Sequence, residues 1–137
     1  MNIKTIMTAD PEGKELVVFA QDKAKILVRE GLKRAQIRII FSEMRQIEAL
    51  WNRFTSYDTT EGKQARADAL RRLNMLKPKM AYQSRRNAAV TGLAQILTEA
   101  ITEVVNAPEE KRDEMFKRFT DLFEAILAYH RSEGGEN

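Results

Sequence analysis

Apolar residues recur along most of the chain at intervals of three and four, which places them on one face of an α-helix. Short polar stretches, some with proline or glycine, interrupt this repeat and favour turns. Alternation of apolar and polar residues, the pattern of a half-buried strand, is scarce. We therefore predict an all-α fold, a single-domain bundle of about five helices. The helices are expected at approximately residues 11–30, 33–54, from 63 onward, 88–105 and 108–131.

Residues that suit helix ends mark several of these boundaries. Asp10 followed by Pro11 is typical of a helix start, and Gly31 is typical of a stop. Asp58, followed three residues later by Glu61, resembles a capping pair. We expect this pair to begin the third helix.

Pro78 interrupts the third helical repeat. It lacks an amide donor, and inside a helix its ring would clash with the carbonyl of Asn74. We therefore expect a kink or a restart of the helix at this position. If the helix runs on, a rotation of about 100° per residue places Leu73, Leu76 and Met80 on one apolar side.

Length and composition suit one compact domain. The chain has 137 residues with 43% apolar content, and we assign residues 1–137 to a single helical domain. Residues 1–10 and 132–137 fall outside the repeats and are expected to be frayed tails. The chain has no cysteine, so disulfides and thiolate metal sites are excluded and a cytoplasmic location is expected. No uninterrupted apolar stretch approaches about 18 residues, so we expect no membrane partner.

The net charge of +3 is unevenly distributed along the chain. Residues 1–68 carry twelve Lys/Arg and ten Asp/Glu, whereas residues 99–137 carry five and ten. Residues 69–98 carry six Lys/Arg and no Asp/Glu. A helix surface without internal acidic partners projects a positive potential, so this segment is expected to attract an anionic partner.

The cations of residues 69–98 surround one tyrosine. Continuing the rotation of the third helix places one set opposite its apolar side: Arg72, Lys79, Tyr82 and Arg86, flanked by Arg71 and Arg85. Arginine and lysine neutralise phosphates, and a tyrosine ring can stack on an unpaired base, so this set indicates binding of single-stranded RNA. The alternative is a solvated face whose charges pair with acids elsewhere, such as those of residues 99–137.

The sequence offers little material for catalysis. His130 is the only histidine, so a Cys–His pair and a multi-histidine metal site are excluded. Glu99 and Glu103 lie one turn apart, but acidic faces of this kind are usually only solvated. A glycine-rich phosphate loop and a nucleophile elbow are both missing from the sequence. We predict a protein that is not an enzyme and needs no cofactor or metal.

In three stretches the order of residues goes beyond what an amphipathic helix needs. They read Gln-Ile-Arg-Ile-Ile-Phe-Ser-Glu (36–43), Leu-Asn-Met-Leu-Lys-Pro-Lys-Met-Ala-Tyr (73–82) and Phe-Thr-Asp-Leu-Phe-Glu-Ala-Ile-Leu-Ala-Tyr-His (119–130). In order and approximate spacing they resemble the small subunit of type III-A CRISPR effector (Csm) complexes, over about residues 33–131. The chain departs from that family before Arg86, where Ser84 and Arg85 replace an expected small residue and glycine.

The resemblance implies a helical, non-catalytic RNA-binding subunit of an antiviral ribonucleoprotein. Several copies would stack beside the backbone subunits, along the duplex of guide RNA and target RNA. The implied partners are guide RNA, target RNA, the backbone and large subunits, and neighbouring copies of itself. The positions that match the family are Arg38, Lys77, Lys79, Tyr82 and Arg86, to which the charge pattern adds Arg71, Arg72 and Arg85.

Two other classes of protein remain open. An all-helical DNA-binding regulator would need a recognition helix after a tight turn, and usually a two-fold dimer. A purely structural adaptor protein would tolerate neutralisation of the whole basic face.

Overall fold

The structure is a computed structural model that describes residues 2–54 and 59–137. The described residues contain α-helices and no strand, so the all-α prediction is confirmed. There are six α-helices in these ranges, one more than predicted. They are α1 (Ile3–Ala9), α2 (Lys14–Arg29), α3 (Arg34–Trp51), α4 (Thr60–Arg86), α5 (Thr91–Asn106) and α6 (Arg112–Ser132), with single 3₁₀ turns at Ala88–Val90 and Glu109–Lys111.

Local side-chain chemistry explains several helix ends. The carboxylate of Asp10 accepts hydrogen bonds from the backbone amides of Glu15 and Leu16 at the start of α2. Gly31 follows α2 with a φ of 88°, a conformation that stops a helix cheaply only at glycine. Thr59 is the N-cap of α4, and its side chain accepts from the amide of Gly62 at 3.0 Å. The predicted cap Asp58 lies outside the described residues.

Helix α4 continues past Pro78 without a break, so a restart of the helix does not occur. The physical reason is the direction of the proline. Pro78 and Asn74 are both exposed, on the side away from the buried stripe of α4. The carbonyl of Asn74 that loses its amide partner is therefore near solvent, where water can satisfy it.

The core lies where α6 and α5 meet the other helices. Helix α6 packs against α1, α2, α3 and α5, and α5 also packs against α1 and α4. Phe119, Phe123 and Ile126 of α6 are fully buried.

By length and composition alone, residues 88–106 could cross a membrane, with a mean hydropathy of 1.3. Helix α5 buries its Leu93, Leu97, Ala100 and Ile101 in the bundle, and this central position explains its apolar character.

The prediction of a frayed tail at residues 1–10 is wrong. Residues 3–9 form α1, and its Ile3, Ile6 and Met7 are buried against α5 and α6. Arg118 of α6 donates to the carbonyl of Met7 at 2.6 Å, which ties down the end of α1. A seven-residue helix is too short to be stable alone, so packing rather than helix propensity forms it.

The prediction of a frayed tail at residues 132–137 is also wrong. Gly134, with a φ of 89°, ends α6, and the amide of Gly135 donates to the carbonyl of His130 at 2.8 Å, as in a Schellman motif. Gly135 lies against the imidazole of His130, where a Cβ atom would overlap the ring. The carbonyl of Glu136 then accepts from the amide of Arg34 at 2.6 Å, which satisfies a free donor at the start of α3.

We predict that Ile6→Ala lowers the free energy of unfolding by about 2–5 kcal/mol, because it leaves a cavity beneath α1. Urea denaturation at neutral pH measures the change. The matched control is Lys4→Ala in the same helix, whose side chain is exposed and whose loss should cost less than about 0.5 kcal/mol. Equal effects of the two substitutions would mean that α1 is not part of the core.

Candidate nucleic-acid interface

Helix α4 presents most of its circumference to solvent or to the grooves beside it. Its buried residues in the second half are Ala69, Leu73, Leu76 and Met80, which form one stripe against the core. The six cations of residues 69–98 all lie on the remaining circumference. They fall into three groups with different surroundings. One group lies on the flank facing α3, one on the flank facing α5, and one on the outer face.

The flank facing α3 holds Arg72 and Lys79. Arg72 donates to Glu43 at 3.1 Å and to Gln46 at 2.9 Å, and Lys79 donates to the same Glu43 carboxylate at 3.4 Å. Burial raises the pKa of the Glu43 carboxyl, but the hydrogen bonds and charges of Arg72 and Lys79 together outweigh it, so the net pKa is lowered. Two of the predicted RNA-binding cations are therefore partly neutralised by one carboxylate.

Lys77 lies on the opposite flank, facing α5. Its ammonium donates to the hydroxyl of Thr102 at 3.0 Å, and that hydroxyl donates to the carbonyl of Thr98 at 2.9 Å. Lys77 is half-buried in this position. The structure therefore separates Lys77 from Lys79, although the two flank Pro78 in the sequence.

The outer face holds Arg71, Tyr82, Arg85 and Arg86, which we call the outer set. Tyr82 is 64% exposed, and the guanidinium of Arg86 lies 5.8 Å from the centre of its ring. Arg71 and Arg85 are exposed and have no hydrogen-bond or ion-pair partner within residues 2–54 and 59–137. The outer set is thus the part of the predicted site whose charge is most available to a ligand.

Arg38 does not join the cations of α4. Helix α3 faces α4 with Ile39, Glu43 and Gln46, whereas Arg38 lies on the side of α3 that also carries Arg45, two turns further on. Arg45 bonds Glu48 and reaches across to Glu124 of α6. The hydrogen bond that Arg45 donates to Glu48 raises the pKa of Arg45, burial opposes this, and the hydrogen bond to Glu124 adds to the rise. Arg38 is exposed at the edge of that paired region.

The sequence left open that acids of residues 99–137 neutralise the basic face of α4, and the observed ion pairs test this alternative. Acids of residues 99–137 do pair with cations elsewhere, as in Arg45 with Glu124 and Arg66 with Asp113. Among the described residues, the six cations of residues 69–98 have one carboxylate partner, Glu43 of α3. The acidic C-terminal segment therefore does not neutralise the surface of α4.

Sequence reasoning missed two residues beside α4. Glu43 pairs with Arg72 and Lys79, and Ile39 is 62% exposed beside Tyr82. A signal for Ile39 existed in the sequence, because Ile37, Ile40, Met44, Ile47 and Trp51 recur at steps of three and four and Ile39 lies outside that repeat. Nothing in the sequence identified Glu43 as the partner, since that contact depends on how α3 and α4 are aligned.

His130 is fully buried, and its Nε2 donates to the carbonyl of Leu32 at 2.6 Å. This contact gives the single histidine a packing role, linking α6 to the turn before α3. Within the described ranges, no group of three or more His, Asp or Glu residues could hold a metal ion.

A family model described as Csm2 Type III-A matches residues 10–136 of the chain. Comparison with curated proteins and with solved structures found no match. The family match covers α2 to α6 and includes all the residues of the predicted site.

We predict that Glu43→Gln lowers stability at neutral pH by about 0.2–1 kcal/mol, the range for partly exposed ion pairs. The pKa of Glu43 is lower in the folded state, so its contribution is full above the unfolded pKa of about 4.3 and disappears as the pH falls through the folded value. Urea midpoints of the wild type and the variant should therefore differ at pH 7 and converge near pH 3.

The control for this prediction is Asp22→Asn, which removes an exposed carboxylate of α2 that has no partner in the described part of the chain. It should leave the urea midpoint nearly unchanged at both pH values. A difference between the wild type and Glu43→Gln that persists undiminished at pH 3 would contradict the assigned ion pair.

Proposed function

The chain belongs to the Csm2 family, the small subunit of type III-A CRISPR effector (Csm) complexes, and from this premise we propose that it binds RNA through the outer face of α4. In this proposal the chain is a non-catalytic subunit of the effector ribonucleoprotein, and it acts in antiviral defence in the cytoplasm. Several copies stack along the duplex of guide RNA and target RNA. They contact one another and the backbone and large subunits.

The observation that carries the proposal is the unpaired charge on α4. Arg71 and Arg85 are exposed and unpaired among the described residues, and in the same part of the chain Arg86 lies over the ring of Tyr82 with no ion pair. The span from Arg71 to Arg86 is about 22 Å at 1.5 Å per residue. An unpaired arginine keeps its donors free for phosphate oxygens, and a row of such length can contact several phosphates at once.

The remaining predicted cations have supporting roles in this proposal. Arg72 and Lys79 add positive potential on the flank facing α3, reduced by Glu43. Lys77 lies on the opposite flank, facing α5, and Arg38 lies apart from α4 on another side of α3. Lysine and arginine side chains on one helix surface suit phosphate oxygens more than the edges of particular bases. We therefore expect binding that depends on the RNA backbone, with strong salt dependence and little sequence preference.

The family assignment disfavours the DNA-binding regulator, and the unpaired charge of Arg71 and Arg85 is what favours RNA binding over a structural adaptor. A DNA-binding regulator would bind duplex DNA with sequence specificity. A structural adaptor would bind no RNA, and neutralising the outer face would leave its assembly unchanged.

We predict that Arg71→Ala/Arg85→Ala/Arg86→Ala weakens RNA binding, because three potential phosphate contacts are lost. The measurement is fluorescence anisotropy of labelled single-stranded RNA and of duplex DNA across a salt series. The wild type should bind the RNA, and the slope of log affinity against log salt should become shallower by up to about 2 in the variant, at about 0.7 per contact.

The matched control removes three exposed cations from α1 and α2, by Lys4→Ala/Lys25→Ala/Arg29→Ala. This control makes the same change in net charge, so only long-range attraction is lost and the salt slope should stay near that of the wild type. Equal loss of affinity in both variants would contradict binding at the outer set, because it would show that only the net charge of the protein attracts the RNA. No RNA binding by the wild type, together with unchanged assembly of the triple variant into the complex, would favour the adaptor.

A further inference from the structure

An open groove lies between the start of α3 and the end of α4. Its apolar lining consists of the exposed side chains of Tyr82 and Ile39 and the buried Val90. Lys79 and Arg86 stand at its rim, and the groove encloses about 420 Å³. That volume lies within the range of pockets that hold small organic groups.

The lining has two features that rarely occur together on a solvated surface. Ile39 and Tyr82 are 62% and 64% exposed, two of the most exposed large apolar side chains among the described residues. They lie beside the cations Lys79 and Arg86. A ligand that fits must therefore offer a flat apolar group together with negative charge.

The polar groups of the groove add a third requirement. The side chains of Gln36 and Gln83 border it. The Gln36 oxygen already accepts from the amide of Lys33 at 2.8 Å, which fixes the position of its side chain and leaves its NH₂ group free to donate. An amide can donate to or accept from the edge of an unpaired base, whichever base is present.

We propose that this groove holds one unpaired base of a bound RNA, stacked on Tyr82, while Lys79 and Arg86 contact the flanking phosphates. The inference rests on the proposed function and adds to it a site that reads the unpaired state of a nucleotide. The charge of Arg86 favours RNA over an apolar protein segment, because burying Arg86 against such a segment would leave it without an anionic partner, whereas Lys79 already has Glu43. The guanidinium of Arg86 already lies over the ring of Tyr82, and it can stay there when a base stacks on the tyrosine.

The probe is an RNA duplex with a single bulged nucleotide, compared with the same duplex in which the bulge is abasic. Both duplexes carry the same number of phosphates, so a difference in affinity reports the base alone. Stacking of a base on an aromatic side chain predicts that the wild type binds the bulged-base duplex about 5- to 100-fold more tightly than the abasic one. Anisotropy at fixed salt measures both affinities.

Tyr82→Ala should abolish this preference and leave affinity for the abasic duplex unchanged, and Tyr82→Phe should keep the preference. The matched control is Met75→Ala, which removes a 51% exposed apolar side chain two turns earlier on α4, outside the groove. It should keep the wild-type ratio. Because Tyr82 is mostly exposed, its loss should not unfold the protein, and a thermal melt confirms this for each variant.

A bulged 2-aminopurine gives an independent reading. Its fluorescence should change on binding to the wild type and to Met75→Ala, but not to Tyr82→Ala.

The outcomes separate this inference from the proposed function. Equal affinity of the wild type for the two duplexes, with Tyr82→Ala unaltered, would overturn the base site and leave RNA binding by α4 intact. No binding of any RNA would overturn both. If Tyr82→Ala instead changes self-association in sedimentation and leaves the bulged-base preference intact, the groove is a contact between protein copies and the base site is wrong.

Discussion

The arrangement of this protein depends on α4 burying one narrow stripe while remaining a single helix past Pro78. The exposed proline faces away from Leu73, Leu76 and Met80, so the missing hydrogen bond lies on the solvent side and does not disturb the core. A restart at this point would have turned the last two turns of the helix to a new direction. Continuity instead keeps Arg71 and Arg85, on either side of Pro78, on one outer face.

The packing of α4 between α3 and α5 then determines what its cations can do. Glu43 reaches from α3 to Arg72 and Lys79, and Thr102 reaches from α5 to Lys77, so the flanks are engaged within the protein. The outer face keeps its charge because residues 69–98 contain no carboxylate and, among the described residues, the ion pairs of the C-terminal acids are made with cations elsewhere, as in Glu124 with Arg45 and Asp113 with Arg66. A surface that could have been neutralised internally is thereby left for an external anion.

The sequence predicted the helical class, the stop at Gly31 and the buried stripe of α4, because these depend on local chemistry and periodicity. It placed the start of the first predicted helix at Asp10 and Pro11, whereas α2 begins at Lys14 after Gly13, and Asp10 contacts the helix only through its carboxylate. It failed for α1 and the C-terminal residues, whose structure depends on partners distant in the chain, such as Arg118 for Met7 and Arg34 for Glu136. The sequence predicted one face with Arg72, Lys79, Tyr82 and Arg86, flanked by Arg71 and Arg85. The structure divides these residues, because Arg72 and Lys79 lie on the flank facing α3 and the outer set lies beyond it. The sequence could not show that the cations of α4 are divided between two flanks, or that Arg38 lies apart from them. Both facts depend on how α3, α4 and α5 are aligned.

The most direct test of RNA binding by the outer face of α4 is photocrosslinking of the intact protein to RNA that carries 4-thiouridine, with the attachment sites located by mass spectrometry. Crosslinks concentrated in residues 71–86, with Tyr82 among them, are the result that the account predicts. Crosslinks concentrated on α2 or α6, or spread evenly over the surface, would contradict it.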